Sequence, residues 1–181
     1  MTGRPHTLRT ERLILRPFRE SDRETMIDLL RNEEIKKTYM LPDFASRAEA
    51  ERLFFRLKEL SEREDRFVYA VCLNDRTVGF LNDVETRDGT MELGYVIHPD
   101  WQNRGFATEA LGAAVEELFR RGYSCVRAGY FEENAASARV MEKCGMSPVP
   151  GEEEIEYRGR RHRCLYRELR REVGSATGEE A

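Results

Sequence analysis

A change of hydrophobic period in the second half of the chain constrains the fold more than any other feature. The segments MELGYVI (91–97) and SCVRAGYF (124–131) have the composition of strands, whereas residues 105–120 between them carry a wide apolar face at helical spacing. Gly122 suits the end of that helix. Because strand–helix–strand connections are right-handed and return the chain beside its start, the two strands are predicted to be parallel neighbours.

The first half of the chain predicts antiparallel strands joined by short turns. Asn74-Asp75-Arg76 and Arg87-Asp88-Gly89 are turn sequences between runs of β-forming residues. These runs, together with the earlier run RLILRPF, predict strands over 12–18, 66–73, 77–84 and 91–97.

Capping sequences mark the predicted helix starts. Ser21–Glu24 and Ser46–Glu49 are S-x-x-E capping boxes, and the second precedes an apolar stripe that predicts a helix over 47–63. Asn134 is the predicted cap of a short helix that ends at Gly145.

The C-terminal segment EEEIEYRGRRHRCLYREL predicts a hairpin that turns near Arg158-Gly159. Together the elements indicate an α/β (α+β) fold: a mixed sheet of about seven strands and about four helices, antiparallel in its first half with one parallel crossover at its centre. The length of 181 residues fits one domain, expected over residues 1–170. The end of the chain, GSATGEEA, is low in complexity, so 171–181 is predicted to be a disordered tail.

Composition limits the classes of partner. The formal net charge of −4 argues against general binding to nucleic acid or to an anionic membrane. The start of the chain lacks the apolar run of a signal peptide, and the apolar runs elsewhere are too short to cross a bilayer, so we expect a cytoplasmic protein. The cysteines are far apart and lack metal-ligand spacing, so we expect reduced thiols and no metal site at Cys72, Cys125, Cys144 and Cys164.

The loop HPDWQNRGFATEAL (98–111) places Gly105 where a polar loop becomes a helix. A helix amino terminus presents unpaired N–H groups and a partial positive charge, which suit an anion such as a diphosphate. A glycine there allows close approach, and Arg104 adds a full charge. The alternative is an ordinary helix start with a glycine near its cap. The place of the loop, directly before a parallel crossover, favours the anion site.

Three motifs in order then carry a specific resemblance. GYVIHPDWQNRGFATEAL resembles the acyl-CoA motif Q/R-x-x-G-x-G/A of the GNAT N-acetyltransferase superfamily, and NAASARVMEKCGM resembles the segment that follows it there. The opening TERLILRPF resembles the branch that contains the ribosomal-protein N-terminal acetyltransferases. The resemblance covers roughly residues 8–170 and implies acetyl-CoA as co-substrate, with no metal.

The resemblance also implies which residues hold the cofactor. The backbone of Tyr95, Val96 and Ile97 would pair with the pantetheine arm as an added strand. Asn134 would bond the same arm, and Ser137 would lie near the sulfur. The pyrophosphate would be held by backbone amides of Gln102, Asn103, Arg104, Gly105, Phe106, Ala107 and Thr108.

The catalytic groups are less evident in the sequence. Glu92 lies on the strand that would hold the thioester and is the best base candidate; a structural surface carboxylate or salt-bridge partner is the alternative. Many GNAT members carry a tyrosine seven residues after the motif asparagine, but this chain has Met141 there. The candidates for protonating the thiolate are therefore Ser137, Tyr166 and solvent.

The acceptor is not readable from the sequence. The resemblance implies direct attack by a primary amine, from a protein N-terminus or a small molecule, in a ternary complex. It also implies that the first two helices and their link line the acceptor pocket, with Phe54 and Phe55 as the candidate aromatics there. A catalytically silent acyl-CoA-binding module is the alternative. A nucleic-acid patch in RGRRHR (158–163) is disfavoured, because EEEIE (152–156) lies across the hairpin and offers ion pairs. We expect no membrane partner, and a monomer or homodimer.

Overall fold

The computed structural model describes residues 7–172. Within that range eight strands form one sheet in the order β1-β2-β3-β4-β5-β6-β8-β7. Neighbouring strands are antiparallel except β5 and β6, which are parallel. The strands are β1 (Leu8–Arg9), β2 (Leu13–Arg16), β3 (Val68–Leu73), β4 (Arg76–Arg87), β5 (Thr90–Ile97), β6 (Cys125–Phe131), β7 (Ser147–Tyr157) and β8 (Arg160–Arg170).

Five α-helices accompany the sheet in residues 7–172, which confirms the predicted mixed α/β architecture. The structure has one strand and one helix more than the approximate numbers expected from the sequence. β1 has only two residues and α2 only four. The short helix α2 is capped by the side chain of Asn32, which accepts from the amides of Glu34 and Ile35. The helices are α1 (Arg23–Arg31), α2 (Glu33–Lys36), α3 (Arg47–Ser61), α4 (Phe106–Arg120) and α5 (Ala135–Lys143).

The three predicted hairpin turns form as the turn residues demand. Both central residues of each turn have positive φ, which is the signature of a type I′ turn whose twist matches that of the flanking strands. The φ values are 48° and 65° at Asn74 and Asp75, 49° and 76° at Asp88 and Gly89, and 51° and 71° at Arg158 and Gly159.

Apolar side chains pack on both faces of the sheet. Alternation along β5 sends Leu93 to the face covered by α4 and α5, and Val96 to the face covered by α1 and α3. Leu111 of α4 is fully buried on the first face, as is Phe54 of α3 on the second. The sheet is therefore held between two helical layers, and its central strands are inaccessible except where they end.

One predicted helix start is wrong. The Ser21–Glu24 sequence does not act as a capping box, because α1 begins at Arg23 after a 3-10 turn. The carboxylate of Asp22 accepts two hydrogen bonds from the guanidinium of Arg16, at 2.8 and 2.9 Å, and fixes this start instead. The Ser46 cap is confirmed, since its side chain accepts from the Glu49 amide at the start of α3.

The central parallel pair is short. Thr90–Glu92 of β5 pairs with Cys125–Arg127 of β6, and no register pair follows in the described residues, although β5 runs on to Ile97 and β6 to Phe131. The strands therefore diverge toward their carboxyl ends, where open α/β sheets bind ligands.

The described range leaves part of one expectation untested. The predicted tail over 171–181 lies outside the described residues from 173 onward. Among the helices of residues 7–172, none is both long and apolar enough to span a bilayer.

Candidate active site

The diverging strands open onto a cavity of about 570 Å³. The ends of β5 and β6, the loop before α4, the first turns of α5 and residues 34–39 form its walls. Arg104, Glu92 and Tyr166 are absent from the described walls. The predicted site residues that line it are Tyr95, Val96, Ile97, Gln102, Asn103, Gly105, Phe106, Ala107, Thr108, Asn134 and Ser137.

The start of α4 is built for an external hydrogen-bond acceptor. Gly105 occupies the N-cap with φ of 80°, a left-handed conformation that L side chains rarely adopt, and it has no side chain to cap the helix. The helical ladder begins with the Glu109 amide, which donates to the Gly105 carbonyl at 3.0 Å. The amides of Phe106, Ala107 and Thr108 precede this bond, so they face the cavity without helical acceptors.

Side chains of the loop hold it against the sheet. The Gln102 amide nitrogen donates to the Ile97 carbonyl at 2.8 Å, which ties the loop to the end of β5. The Arg104 guanidinium lies 5.0 Å from the ring centroid of Trp101 rather than over the cavity. Arg104 therefore contributes its backbone to the loop, while its guanidinium lies outside the cavity walls.

Arg12 is a contact of this loop that sequence reasoning missed. Its guanidinium donates to the Arg104 carbonyl at 2.9 Å and forms an ion pair with Glu109 at 2.7 Å. The same group lies 4.6 Å from the ring centroid of Phe106. Arg12, directly before β2, thus braces the N-terminal turn of α4 across more than ninety residues of sequence.

The edge of β5 that faces β6 pairs with no strand of the described chain along its last residues, although the Ile97 carbonyl already accepts from Gln102. Tyr95, Val96 and Ile97 pair with β4 on one side, and on the other side no strand of the described chain continues the ladder beyond Glu92. An exposed strand edge of this kind presents unpaired N–H and C=O groups to any extended ligand with amide groups.

The start of α5 lies in the same cavity. The side-chain oxygen of Asn134 accepts from the Ser137 amide at 3.1 Å, which confirms the predicted cap. The Ser137 hydroxyl lies 2.7 Å from the hydroxyl of Tyr95, so each can donate to the other. Burial raises the pKa of Tyr95, which keeps its phenol neutral. Sequence reasoning had considered only the backbone of Tyr95.

Glu92 lies on the face of the sheet opposite α4. Its Oε2 is 3.8 Å from Arg127 Nε, and its side chain is 17% exposed. Burial raises its pKa, opposed by Arg127 and assisted by the carboxylates of Glu85 and Glu153. The ion-pair interpretation and the base interpretation of Glu92 are both compatible with this geometry.

Tyr166 is committed to other contacts. Its hydroxyl donates to Glu153 Oε2 at 3.0 Å, its ring lies against Gly129, and the guanidinium of Arg127 lies 3.8 Å from the ring centroid. Burial raises the pKa of its phenol. Met141, at the position of the missing phenol, is fully buried in the core against α4.

The basic hairpin has acidic partners. Arg163 pairs with Glu132 at 2.9 Å and with Glu152 across the hairpin, and Arg161 lies 3.7 Å from Glu154. These contacts agree with the predicted cross-strand ion pairs.

The aromatic residues expected on the acceptor side do not lie there: Phe54 is buried, and neither it nor Phe55 lines the described cavity. Tyr39 does so instead.

Comparisons with known proteins identify the class. The family model described as acetyltransferase (GNAT) domain matches residues 12–147, well over half of the chain. The chain therefore belongs to the GNAT family of N-acetyltransferases, as the sequence motifs predicted.

The chain has low sequence identity to the individual proteins that it resembles. It is 28% identical over 144 residues to the N-acetyltransferase YoaA of Bacillus subtilis, covering 76% of this chain and 81% of YoaA. Among solved structures, the ribosomal L7/L12 α-N-protein acetyltransferase RimL in complex with coenzyme A superposes with a TM-score of 0.80 at 18% identity, covering 91% of this chain and 98% of RimL. A GNAT acetyltransferase from Bacillus anthracis gives 0.77 at 22% identity, covering 91% and 98%. These structures share the fold.

Proposed function

We propose that this chain transfers an acetyl group from acetyl-CoA to a primary amine, by direct attack of the amine in a ternary complex. The observation that carries the proposal is the cavity where β5 and β6 diverge. There the free edge of β5 meets the amino termini of two helices, α4 and α5. This arrangement suits an extended arm with amide groups that ends in an anionic diphosphate.

The residues present fit acetyl-CoA. The amides of the loop and first turn of α4, from Gln102 to Thr108, would hold the pyrophosphate, and the backbone of 95–97 would pair with the pantetheine arm. Asn134 caps α5 with its side-chain oxygen, and its amide nitrogen would meet the same arm. When bound, acetyl-CoA supplies the acetyl group as a thioester, and its thiolate is a tolerable leaving group because the corresponding thiol has a pKa of about 8.5.

The protein's own groups would manage the protons. We assign Glu92 as the base that takes the proton of the attacking amine, directly or through water. Alternation along β5 places it on the same face as Gly94, which lines the cavity, and burial raises its pKa. Ser137, with Tyr95 beside it, would donate a hydrogen bond to the departing sulfur. Tyr166 is the weaker candidate, because its hydroxyl already donates to Glu153.

The acceptor would be a protein N-terminus or a small-molecule amine. The similarity to RimL, whose name describes an α-N-protein acetyltransferase, supports the first. The chain would act in the cytoplasm as a monomer or homodimer, without nucleic acid or membrane as a partner. Free thiols at all four cysteines agree with that compartment.

Cofactor binding is the first test. Acetyl-CoA should bind in calorimetry and raise the melting temperature, since a ligand of the folded state stabilises it. Gly105→Ala should weaken binding, because φ of 80° disfavours any side chain there. Gly112→Ala, in the same helix with open space around the added methyl, is the matched control. Binding that is equal in the two variants would show that the α4 loop does not hold the cofactor.

Met141 stands at the position where many GNAT members carry a tyrosine, and its side chain is fully buried. The missing phenol favours the second candidate, a catalytically silent acyl-CoA-binding module. Thiol release from acetyl-CoA over a panel of peptides and small amines separates the two. Amine-dependent release supports the transferase, whereas tight binding without release supports the silent module.

A further inference from the structure

The linker between α1 and α3, residues 32–46, is fastened to the tip of the β7–β8 hairpin. Arg158 at that tip forms ion pairs with Glu33 at 2.7 Å and Asp43 at 3.1 Å. The hydroxyl of Tyr157 accepts from the Leu41 amide and donates to the Leu41 carbonyl. Contacts at both ends and in the middle hold the linker over the carboxyl end of β5.

Tyr39 reaches the sheet from the linker. Its hydroxyl donates to Asn82 Oδ1 at 2.7 Å, and its ring packs edge-on against Phe80 with centroids 5.7 Å apart. A Cβ added to Gly94 would lie 2.7 Å from the hydroxyl and 3.2 Å from a ring carbon. The Tyr39 ring therefore occupies the space that a side chain at position 94 would fill.

This contact lies on the face of β5 that the proposed cofactor leaves free. Gly94 and Tyr39 both line the cavity, together with Glu34 and Lys37 of the same linker. The helix starts that would hold the cofactor lie on the other face, because alternation along β5 turns Leu93 toward α4 and Gly94 away from it. An amine that approaches the end of the pantetheine arm across this face of β5 therefore passes the Tyr39 ring.

We propose that the Tyr39 ring is a wall that limits the width of the acceptor at the carbon that bears the amine. The inference rests on the proposed transferase function. The wall is rigid because the ring is held by Phe80, its hydroxyl by Asn82, and its backbone by the linker. Acceptors with an unsubstituted carbon beside the amine fit past it, and acceptors branched at that carbon contact the ring.

The test compares acceptors of different width with matched variants. The probes are peptides that differ only in an N-terminal glycine, alanine or valine, with n-butylamine and sec-butylamine as a second pair, and thiol release from acetyl-CoA gives kcat/KM. Tyr39→Ala should lower the preference for glycine over valine by roughly tenfold, the effect of about one or two methyl-sized groups in a pocket. Tyr39→Phe keeps the ring and should keep the preference. Met40→Ala, at an exposed neighbour in the linker, is the control.

The outcomes separate this inference from the proposed function. A preference unchanged in Tyr39→Ala, with an active wild-type chain, overturns the wall alone. An equal fall of kcat in Tyr39→Phe and Tyr39→Ala with every acceptor also overturns it, since the hydroxyl and not the ring would then matter. No turnover of any amine by the wild-type chain overturns the transferase and the wall together.

A second variant guards against a folding defect. In Tyr39→Ala/Gly94→Ala the methyl at position 94 enters the space that the ring has left, so part of the glycine preference should return. Circular dichroism and thermal unfolding establish that each variant is folded. Failure of the folded double variant to recover any preference would show that the space over Gly94 does not contact the acceptor.

Discussion

The hydroxyl of Tyr95 and the hydroxyl of Ser137 lie 2.7 Å apart, and they join the free edge of β5 to the first turn of α5. Ser137→Ala should lower kcat on the order of 10- to 100-fold, the worth of one hydrogen bond to a charged group, with little change in the KM for acetyl-CoA. Tyr95→Phe should have a smaller effect of the same kind. Steady-state thiol release measures both, with Ser147→Ala at an exposed serine as control. Wild-type kcat in Ser137→Ala would remove the serine from the chemistry.

Arg12 should act on cofactor affinity through the loop that it braces. Arg12→Ala removes the contacts with Glu109 and the Arg104 carbonyl, so the Kd for acetyl-CoA should rise roughly tenfold, while kcat at saturating cofactor stays near the wild-type value. Arg12→Lys should recover only part of the affinity, because an ammonium cannot reproduce the forked contacts. Calorimetry on these variants and on Arg9→Ala, an exposed arginine of β1, checks the effect. Loss of melting temperature without loss of affinity would contradict it.

The pH dependence should report Glu92. Its pKa is raised by burial, so the acidic limb of kcat/KM should lie above the ordinary glutamate value of about 4.3. A base must be ionised to act, so activity falls as pH drops through this raised pKa. Glu92→Gln should remove the contribution of Glu92 and leave only the limb set by protonation of the amine itself. It should also lower kcat at neutral pH, with a smaller loss at high pH where the amine is already neutral. Glu85→Gln, at an exposed neighbour, should keep the limb; a profile unchanged in Glu92→Gln would exclude Glu92 as the base.

The buried pair of Asp22 and Arg16 should make the free energy of unfolding fall at acid pH. Burial alone would raise the pKa of Asp22, but hydrogen bonds from Arg16, the Arg19 amide and Thr77 outweigh it and hold the pKa below its ordinary value. The pair therefore stabilises fully above the unfolded pKa of about 3.9, and this stabilisation is lost as pH falls through the lower folded pKa. Asp22→Ala should cost about 3–5 kcal/mol at neutral pH, because it leaves a buried guanidinium unpaired.

Urea unfolding across pH 2–7 tests this assignment. Glu20→Ala, which removes the exposed pair with Arg23, should cost no more than about 1 kcal/mol. Equal midpoints for Asp22→Ala and Glu20→Ala would contradict the role of the buried pair.

The elements that could be predicted from the sequence are those determined by neighbouring residues. Turns such as Asn74-Asp75 and Arg158-Gly159, and the cap at Ser46, depend on residues next to one another, so their signals are complete within a few positions. Ser21 carried the same local signal as Ser46 and was misleading. Its neighbour Asp22 is captured by Arg16 of β2, and a tertiary ion pair then decides where α1 begins.

The site divides in the same way. The loop around Gly105 was predictable because a helix start and its glycine are adjacent in sequence. The roles of Arg12 and Tyr39 were not predictable, because their partners are distant in sequence and are brought near only by the fold. Arg12 contacts Glu109, and Tyr39 covers Gly94. Apolar periodicity drew attention to Phe54, which the core uses. Tyr39, which does line the cavity, lies in a linker whose apolar residues follow no helical or strand period.

The three-residue pairing between β5 and β6 also has a mechanical consequence. The sheet divides into two parts, β1–β5 and β6–β8. In the described chain they are joined by three residue pairs between β5 and β6, and α4 packs across them. A ligand that forms hydrogen bonds with the edge of β5 and also contacts the start of α5 would add contacts between these two parts of the sheet. Ligand binding at this edge would therefore make unfolding more cooperative, and because a ligand of the folded state stabilises it, binding would also lengthen the lifetime of the folded chain.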